Sequence, residues 1–528
     1  MKMIHNPVLP GFNPDPSFLR VGDDYYLATS TFEWFPGVQI HHSRDLVHWR
    51  LIGHGLRDKR LLDLSGVPDS GGIWAPALSW HEGRFFLVYT IVHTWSLGCA
   101  FKDTHNYLVT AESIEGPWSG PVHLNSSGFD PSLFHDDDGR KWLVNLRWDF
   151  RKDHPRFAGI IAQEYDSQKN GLIGPIHTLL QKKAIIEGPN LYRRGGFYYL
   201  MVAEGGTEWN HSISMARATS VTGPYQLDPQ PFVLTSRDDE TLDLQKAGHG
   251  ELVETPAGNW YLAHLCSRPV GPHRRCILGR ETALQKVAWS DDGWLHLAAG
   301  GVHPQVVVPA PAELPWTPWP EEPGRDDFDV AALSPHWSSL RVPVDESWLT
   351  LRERPGWMRL RGRESLHSTH EQSLIARRVQ ARHTVAETRL EFEPAHFTQM
   401  AGLICWYDTS THYYLRLTHD ENLGKVLGII LTDDGSYQEL TESQMAINDW
   451  PRCYLRAEID HEKLQFSASP DGENWRLVGP ELDATKLSDD YGGKGLHFTG
   501  AFIGLCCQDL GGTKVPADFD YCDLKRLG

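Results

Sequence analysis

Residues 22–30 read GDDYYLATS, and four later segments repeat that grammar: GRFFLVYT from Gly83, GRKWLVNL from Gly139, GFYYLMVAEG from Gly196 and GNWYLAHL from Gly258. Successive glycines are 61, 56, 57 and 62 residues apart. In each case a turn glycine separates two apolar, aromatic or β-branched runs, which is the pattern of a β-hairpin. The runs before the glycines are also alike: PDPSFLRV, WAPALSWH, FDPSLFHD, EGPNLYRR and GHGELVET. Secondary markers recur as SRDLVHW from Ser43, SIEGPW from Ser113 and SVTGPY from Ser220, and helical periodicity is nearly absent. A phased repeat of this length is an architectural signal. Four strands and their turns fill about 40–60 residues, so five units predict an all-β, five-bladed β-propeller over residues 1–301.

The texture then changes. Residues 302–325 form a connection with seven prolines between Pro304 and Pro323. Proline removes ladder donors and stiffens the chain, so this stretch reads as an extended linker. After it the repeat does not return. Short alternating runs such as AGLICWY (401–407), YYLRLTH (413–419), KVLGIIL (425–431) and CYLRAEI (453–459), with turns such as DDG and SPDG between them, predict a β-sandwich over 326–528.

Composition narrows the function. The 528 residues carry 50 Lys plus Arg against 68 Asp plus Glu, a net charge of −18. That argues against a nucleic-acid backbone or an anionic membrane as partner. No run of 18 apolar residues predicts a membrane span, and the opening MKMIHNPVLPGFNPDPS lacks the apolar core of a signal peptide. The eight cysteines are scattered without a CxxC pair, which predicts reduced thiols in a cytoplasmic protein. Neither nucleotide-binding GxGxxG or Walker sequences nor GxSxG or HExxH occur.

The repeat also positions charge. Propeller strands run outward from a central channel, so equivalent positions at the start of each innermost strand line one end of it. Alignment of the five units brings together Asp15, Trp74-Ala75, Asp130, Glu187 and His249. Crowding three carboxylates and a histidine is costly unless it serves chemistry. Two carboxylates flanking a bond, with a third tuning them, is the layout of glycoside hydrolysis. Phe32, Trp74, Phe129 and Trp148 lie near the same strand starts and can pack against sugar faces or between blades. Arg280 can hold a sugar hydroxyl or Asp130, or form a surface ion pair. His249 is open between two readings: a contact to a Ca²⁺ on the axis, or a neutral histidine satisfying buried carbonyls.

The motifs NPDPSFLRVGDDYYLATSTFEWFPG, SGGIWAP, FDPSLFHDDDG, EGPNLY, AEGGT, QKAGHGELVET, GRETALQK and FTGAFIGLCCQDL resemble glycoside hydrolase family 43. The likeness is to its bacterial β-xylosidases with an appended concanavalin-like sandwich, and it spans nearly the whole chain. It implies an inverting, exo-acting hydrolase that releases xylose from non-reducing ends of β-1,4-xylo-oligosaccharides, with no required cofactor. It implies that Asp15 is the general base, that Asp130 tunes and orients the acid, and that Glu187 is the general acid, its acidity weakened by the nearby charge of Asp130. Phe32, Trp74, Phe129, Trp148, Thr207 and Arg280 would shape the pocket, with Phe498 reaching over from the sandwich. The resemblance also implies a homo-oligomer, dimer or tetramer. Three alternatives stand beside it. The pocket prefers α-L-arabinofuranosides or takes both pentosides; the protein is a retaining fructan hydrolase, whose Asn-Asp-Pro-Asn opening is absent; or it is a non-catalytic sugar-binding propeller, which would have lost one of the three acids. One departure from the family is the stretch between Pro269 and Gly279, only VGPHRRCIL here where relatives are longer, so leaving-group specificity and oligomer contacts are open there.

Overall fold

The computed structural model describes residues 2–96, 99–492 and 497–527. Five four-strand antiparallel arrays stand in sequence order, their innermost strands being Ser17–Val21, Gly72–His81, Gly128–His135, Ile186–Arg194 and Gln245–Glu254. We number these blades 1 to 5; blade 4 carries an extra short strand, Leu234–Thr235. The five repeat glycines, Gly22, Gly83, Gly139, Gly196 and Gly258, all sit at φ between 61° and 86°, a turn conformation that a Cβ opposes. The second strand of a blade is covered on both faces by its neighbours. It therefore reads as a continuous apolar run, as in Arg84–Thr94, where eight successive residues are buried. The ring closes through main-chain bonds from blade 5 to the first segment: Asn13 N to Arg280 O (2.8 Å) and Leu9 N to Thr282 O (3.1 Å).

The Pro-rich connection is more than a spacer. Its residues Val307–Pro309 pair with Met3–His5 and so fasten both ends of the propeller. The sandwich consists of two large sheets enclosing an apolar core that includes Trp348, Leu403, Leu415, Leu455, Phe466 and Phe519. One sheet adopts a strand from the propeller: Trp34–Phe35 pairs with Ser338–Leu340. Trp34 also stacks on Phe502 of the sandwich at 3.9 Å. The two units therefore share a sheet and a core, which fixes the sandwich against the rim of the channel. The short 269–279 segment makes a tight hairpin, with Val270 bridged to Arg275, and docks on the sandwich through Cys276 N to Asp490 Oδ2 (2.9 Å) and Arg275 Nη1 to Thr485 Oγ1 (3.0 Å). All eight cysteines are free thiols, and seven of them are buried.

Candidate active site

The innermost strands share a local device. Asp15 (φ 52°), Ala75 (34°), Asp130 (55°), Gly188 (55°) and His249 (44°) all adopt left-handed backbone at the channel mouth. In blades 2 to 5 the strand register shifts at this point, by a bulge. Non-glycine residues held in this conformation store strain, and such strain gathers at functional sites. The device corrects the sequence alignment. Gly188, not Glu187, is the structural counterpart of Asp15, Asp130 and His249. Glu187 occupies the preceding position, which is Trp74 in blade 2 and Phe129 in blade 3. A bulge breaks the alternation of faces along a strand, so the offset does not turn Glu187 away: adjacent Phe129 and Asp130 both line one cavity, and Glu187 lines it too.

Asp15, Asp130 and Glu187 line one cavity of about 210 Å³ together with Phe32, Trp74, Phe129, Thr207, His249, Arg280 and Phe498. Asp15 is gripped at both oxygens: Arg280 Nη1 donates to Oδ1 (2.7 Å) and Ser30 Oγ donates to Oδ2 (2.7 Å). Arg280 thus serves Asp15 rather than Asp130. It is almost fully buried, and its Nη2 donates to the carbonyl of Phe498 (3.1 Å). Ser30 is fixed in turn by the amide of Ala75 (2.8 Å). Asp130 Oδ2 accepts from the amide of Gly188 (3.1 Å), so it holds the backbone beside Glu187.

The acids differ in environment. Burial raises the Glu187 carboxyl from 4.5 to about 7; Lys102 opposes that rise and Asp15 adds to it. Asp130 is pushed well above the ordinary range, first by burial and then by the charges of Glu187 and Asp15. Desolvation, not the charge of Asp130, is therefore the main reason Glu187 holds its proton.

Phe498 covers the cavity from the sandwich. Its amide donates to Ser70 Oγ (3.0 Å), while the carbonyl of Ser70 accepts from Trp74 Nε1 (2.9 Å). The Phe498 ring lies 5.4 Å from Trp74 and 5.9 Å from Phe32. Trp148 stands one layer back: it packs on Phe129 (6.1 Å) and Phe157 (5.4 Å) and is not among the residues lining the cavity.

Two family models match this chain: one described as glycosyl hydrolases family 43, over residues 4–295, and one described as the β-xylosidase C-terminal concanavalin A-like domain, over residues 325–525. The chain belongs to glycoside hydrolase family 43. A crystal structure of a xylan β-1,4-xylosidase from Bacillus halodurans C-125 superimposes with a TM-score of 0.97 at 55% identity, covering 99% of this chain and 100% of that one. A xylosidase/arabinosidase 43B of Humicola insolens is 47% identical over 99% of this chain and 97% of its own length. A xylan 1,3-β-xylosidase of a Vibrio species is 46% identical over 98% of both chains.

Several residues of this family 43 site lie outside the repeat and escape sequence reading. Lys102 sends its ammonium among four rings, 4.3 Å from Trp148, 4.6 Å from Trp95, and 5.1 Å from Trp74 and Phe129. Burial lowers it to about 8, against the charges of Glu187 and Asp130. Trp95, Phe157, Ile185 and Glu208 also line the cavity. None of these lies within the repeated hairpin segments. A lone lysine in CAFKDT carries no sequence signal; Ser30, by contrast, follows directly from the end of the first hairpin motif.

The residues around His249 do not fit a calcium cage. Its Nδ1 is 3.6 Å from Asp15 Oδ1, and burial lowers its basicity. The axial cavity beside it is about 10 Å³, room for one water-sized body. A Ca²⁺ ion takes six to eight oxygens, and Glu251, facing the same cavity, already accepts from the amide of Phe18 at 2.7 Å. Among the described residues no group of three His, Cys, Asp or Glu is arranged to hold a metal.

Proposed function

We propose that the protein is an exo-acting, inverting β-xylosidase that removes single xylose residues from the non-reducing ends of short β-1,4-xylo-oligosaccharides. The observation that carries this is the compact cavity in which three carboxylates meet under an aromatic cover. At about 210 Å³ it is smaller than the 300–1,000 Å³ usual for larger ligands, the size for one sugar ring rather than a chain. The names of the similar proteins support the xylosidase reading, and the Bacillus halodurans protein, which is named for the 1,4 linkage, supports that linkage.

In this reading Glu187, protonated below about pH 7, donates to the glycosidic oxygen as the bond breaks. Asp15 takes a proton from a water attacking the opposite face of the anomeric carbon, its two oxygens held by Arg280 and Ser30 so that its orientation is set before substrate arrives. Asp130 is a positioning residue that acts through the Gly188 amide, holding the backbone beside Glu187. No step needs a cation. Free thiols support a reducing compartment, and hence a role on oligosaccharides already inside the cell. A second reading, hydrolysis of arabinosides, is favoured by the Humicola relative named xylosidase/arabinosidase.

Hydrolysis of xylobiose and of an aryl arabinofuranoside, compared side by side, tests the assignment. Faster turnover of xylobiose, with α-xylose as the first product in proton NMR, is expected. Initial β-xylose would mean a retaining enzyme and remove Asp15 from its role.

A further inference from the structure

A second cavity, of about 620 Å³, lies between blade 1, the Pro-rich connection and the sandwich. Its lining runs against the charge of the molecule. Four arginines, Arg50, Arg377, Arg378 and Arg526, face only two carboxylates, Glu321 and Glu322, in a chain whose net charge is −18. Glu322 is already shared: it accepts from Arg377 Nη2 (2.7 Å) and pairs with Arg526 (3.4 Å) and His336 (3.1 Å).

Arg378 has no carboxylate partner among the described residues. Its side chain is 5% exposed, its Nε donates to the carbonyl of Phe12 (2.8 Å), its Nη1 reaches Ser338 Oγ at 3.4 Å, and its Nη2 has no partner. His41 Nδ1 in the same wall is also buried without a hydrogen-bond partner, while the unpartnered Gln39 Oε1 and Asn13 Oδ1 are acceptors and offer an anion nothing. A buried guanidinium normally sits against an anion, because leaving it unpaired in a low-dielectric site is costly. Burial alone pulls Arg378 down to about 9, and burial and the guanidinium together hold His41 near 3, so the histidine does not add a competing charge. Arg50 lies over the Trp319 ring at 3.9 Å, and His42 takes a place beside that ring at 5.3 Å. The tryptophan is therefore engaged by protein groups, which disfavours a stacked sugar as occupant.

We propose that this cavity is a binding site for a small multivalent oxyanion, of the phosphate or polycarboxylate kind, held between Arg378 and Arg50. The guanidinium fork matches the planar or tetrahedral oxygen array of such anions. The site abuts the machinery, since the carbonyl that Arg378 holds belongs to Phe12, three residues before Asp15, and Gln380 Nε2 holds the carbonyl of Pro10 (3.2 Å) on the same segment.

Calorimetric titration of the full-length protein at constant ionic strength tests this, with phosphate in one arm and citrate in the other, each repeated in saturating xylose. Saturable 1:1 binding of at least one anion, unaffected by xylose, is expected; whichever arm binds more tightly identifies the chemistry. Arg50→Ala, at the mouth of the cavity, should weaken it roughly tenfold or more while leaving xyloside hydrolysis in anion-free buffer unchanged. Arg378→Gln should also weaken anion binding roughly tenfold or more, and if that variant does not fold, crystals of the wild-type protein soaked in selenate replace it, with an anomalous peak expected beside Arg378. Absence of binding in both arms, competition by xylose, equal affinity in Arg50→Ala, or a selenate peak only elsewhere would each overturn the proposal.

Discussion

Replacing Glu187 by Gln should cost activity and add stability, and the two effects should be tied to the same proton. In the folded protein burial lifts this carboxyl from 4.5 to about 7. Between those pH values the folded state binds the proton that the unfolded state has released, so stability falls as pH rises through the window. The full penalty is present above about pH 7 and absent below 4.5. Its ceiling is on the order of 3 kcal/mol, a value in which the attraction of Lys102 is already set against burial. Glutamine keeps the shape and carries no charge. The variant should therefore melt a few degrees above wild type at pH 8, at roughly 1–1.5 °C per kcal/mol for a chain of this size, and show no such gain near pH 4.5. Its turnover of xylobiose should fall by about 10²–10⁴-fold, the usual worth of a general acid. A dinitrophenyl xyloside should lose much less, because its leaving group departs without a proton. For wild type on xylobiose, kcat/KM should decline above about pH 7 as Glu187 ionises, and the variant acting on the activated substrate should lack that limb. Paired melting curves and rates on the two substrates decide the matter. If the variant slows both substrates equally and gains no stability at pH 8, Glu187 is not the proton donor and Asp130 becomes the candidate.

Asp15→Asn should depress both substrates alike, by about 10²–10⁴-fold, since water needs a base whatever the leaving group; a variant retaining a tenth of wild-type rate would exclude Asp15. Ser30→Ala removes one of the two donors to Asp15 and should lower kcat more than it raises KM, with Ser30→Thr restoring much of the rate; a pure KM effect would place Ser30 in substrate binding instead. Phe498→Ala should raise KM for xylobiose while the melting temperature changes little, because the loop stays tied by main-chain bonds to Ser70 and Arg280; unchanged kinetics would show that the cover contributes nothing to binding.

Much of this protein is local in origin and so could be read from the chain. A glycine at each hairpin turn and an apolar run long enough for a strand buried on both faces recur at regular intervals, and only a radial array satisfies five such copies. Asp15 and Asp130 follow from the same phase, as does the break in composition before the sandwich. What the sequence could not determine depends on contacts between distant segments. Alignment set Glu187 in register with the other acids, whereas Gly188 holds their position and Glu187 the one before it, and the bulge shared by blades 2 to 5 brings these neighbouring positions to one cavity. The partner of Arg280 was undecidable along the chain because 265 residues separate it from Asp15, and ring closure alone brings them to 2.7 Å. Lys102 and Trp95 lie outside the repeated hairpin segments, so no repeat could flag them. Trp148 lies at an expected strand end, yet Phe129 and Lys102 stand between it and the cavity. The raised pKa of Glu187 likewise belongs to the assembled molecule. Desolvation comes from walls supplied by several blades and from the sandwich's Phe498, and no stretch of sequence contains them all.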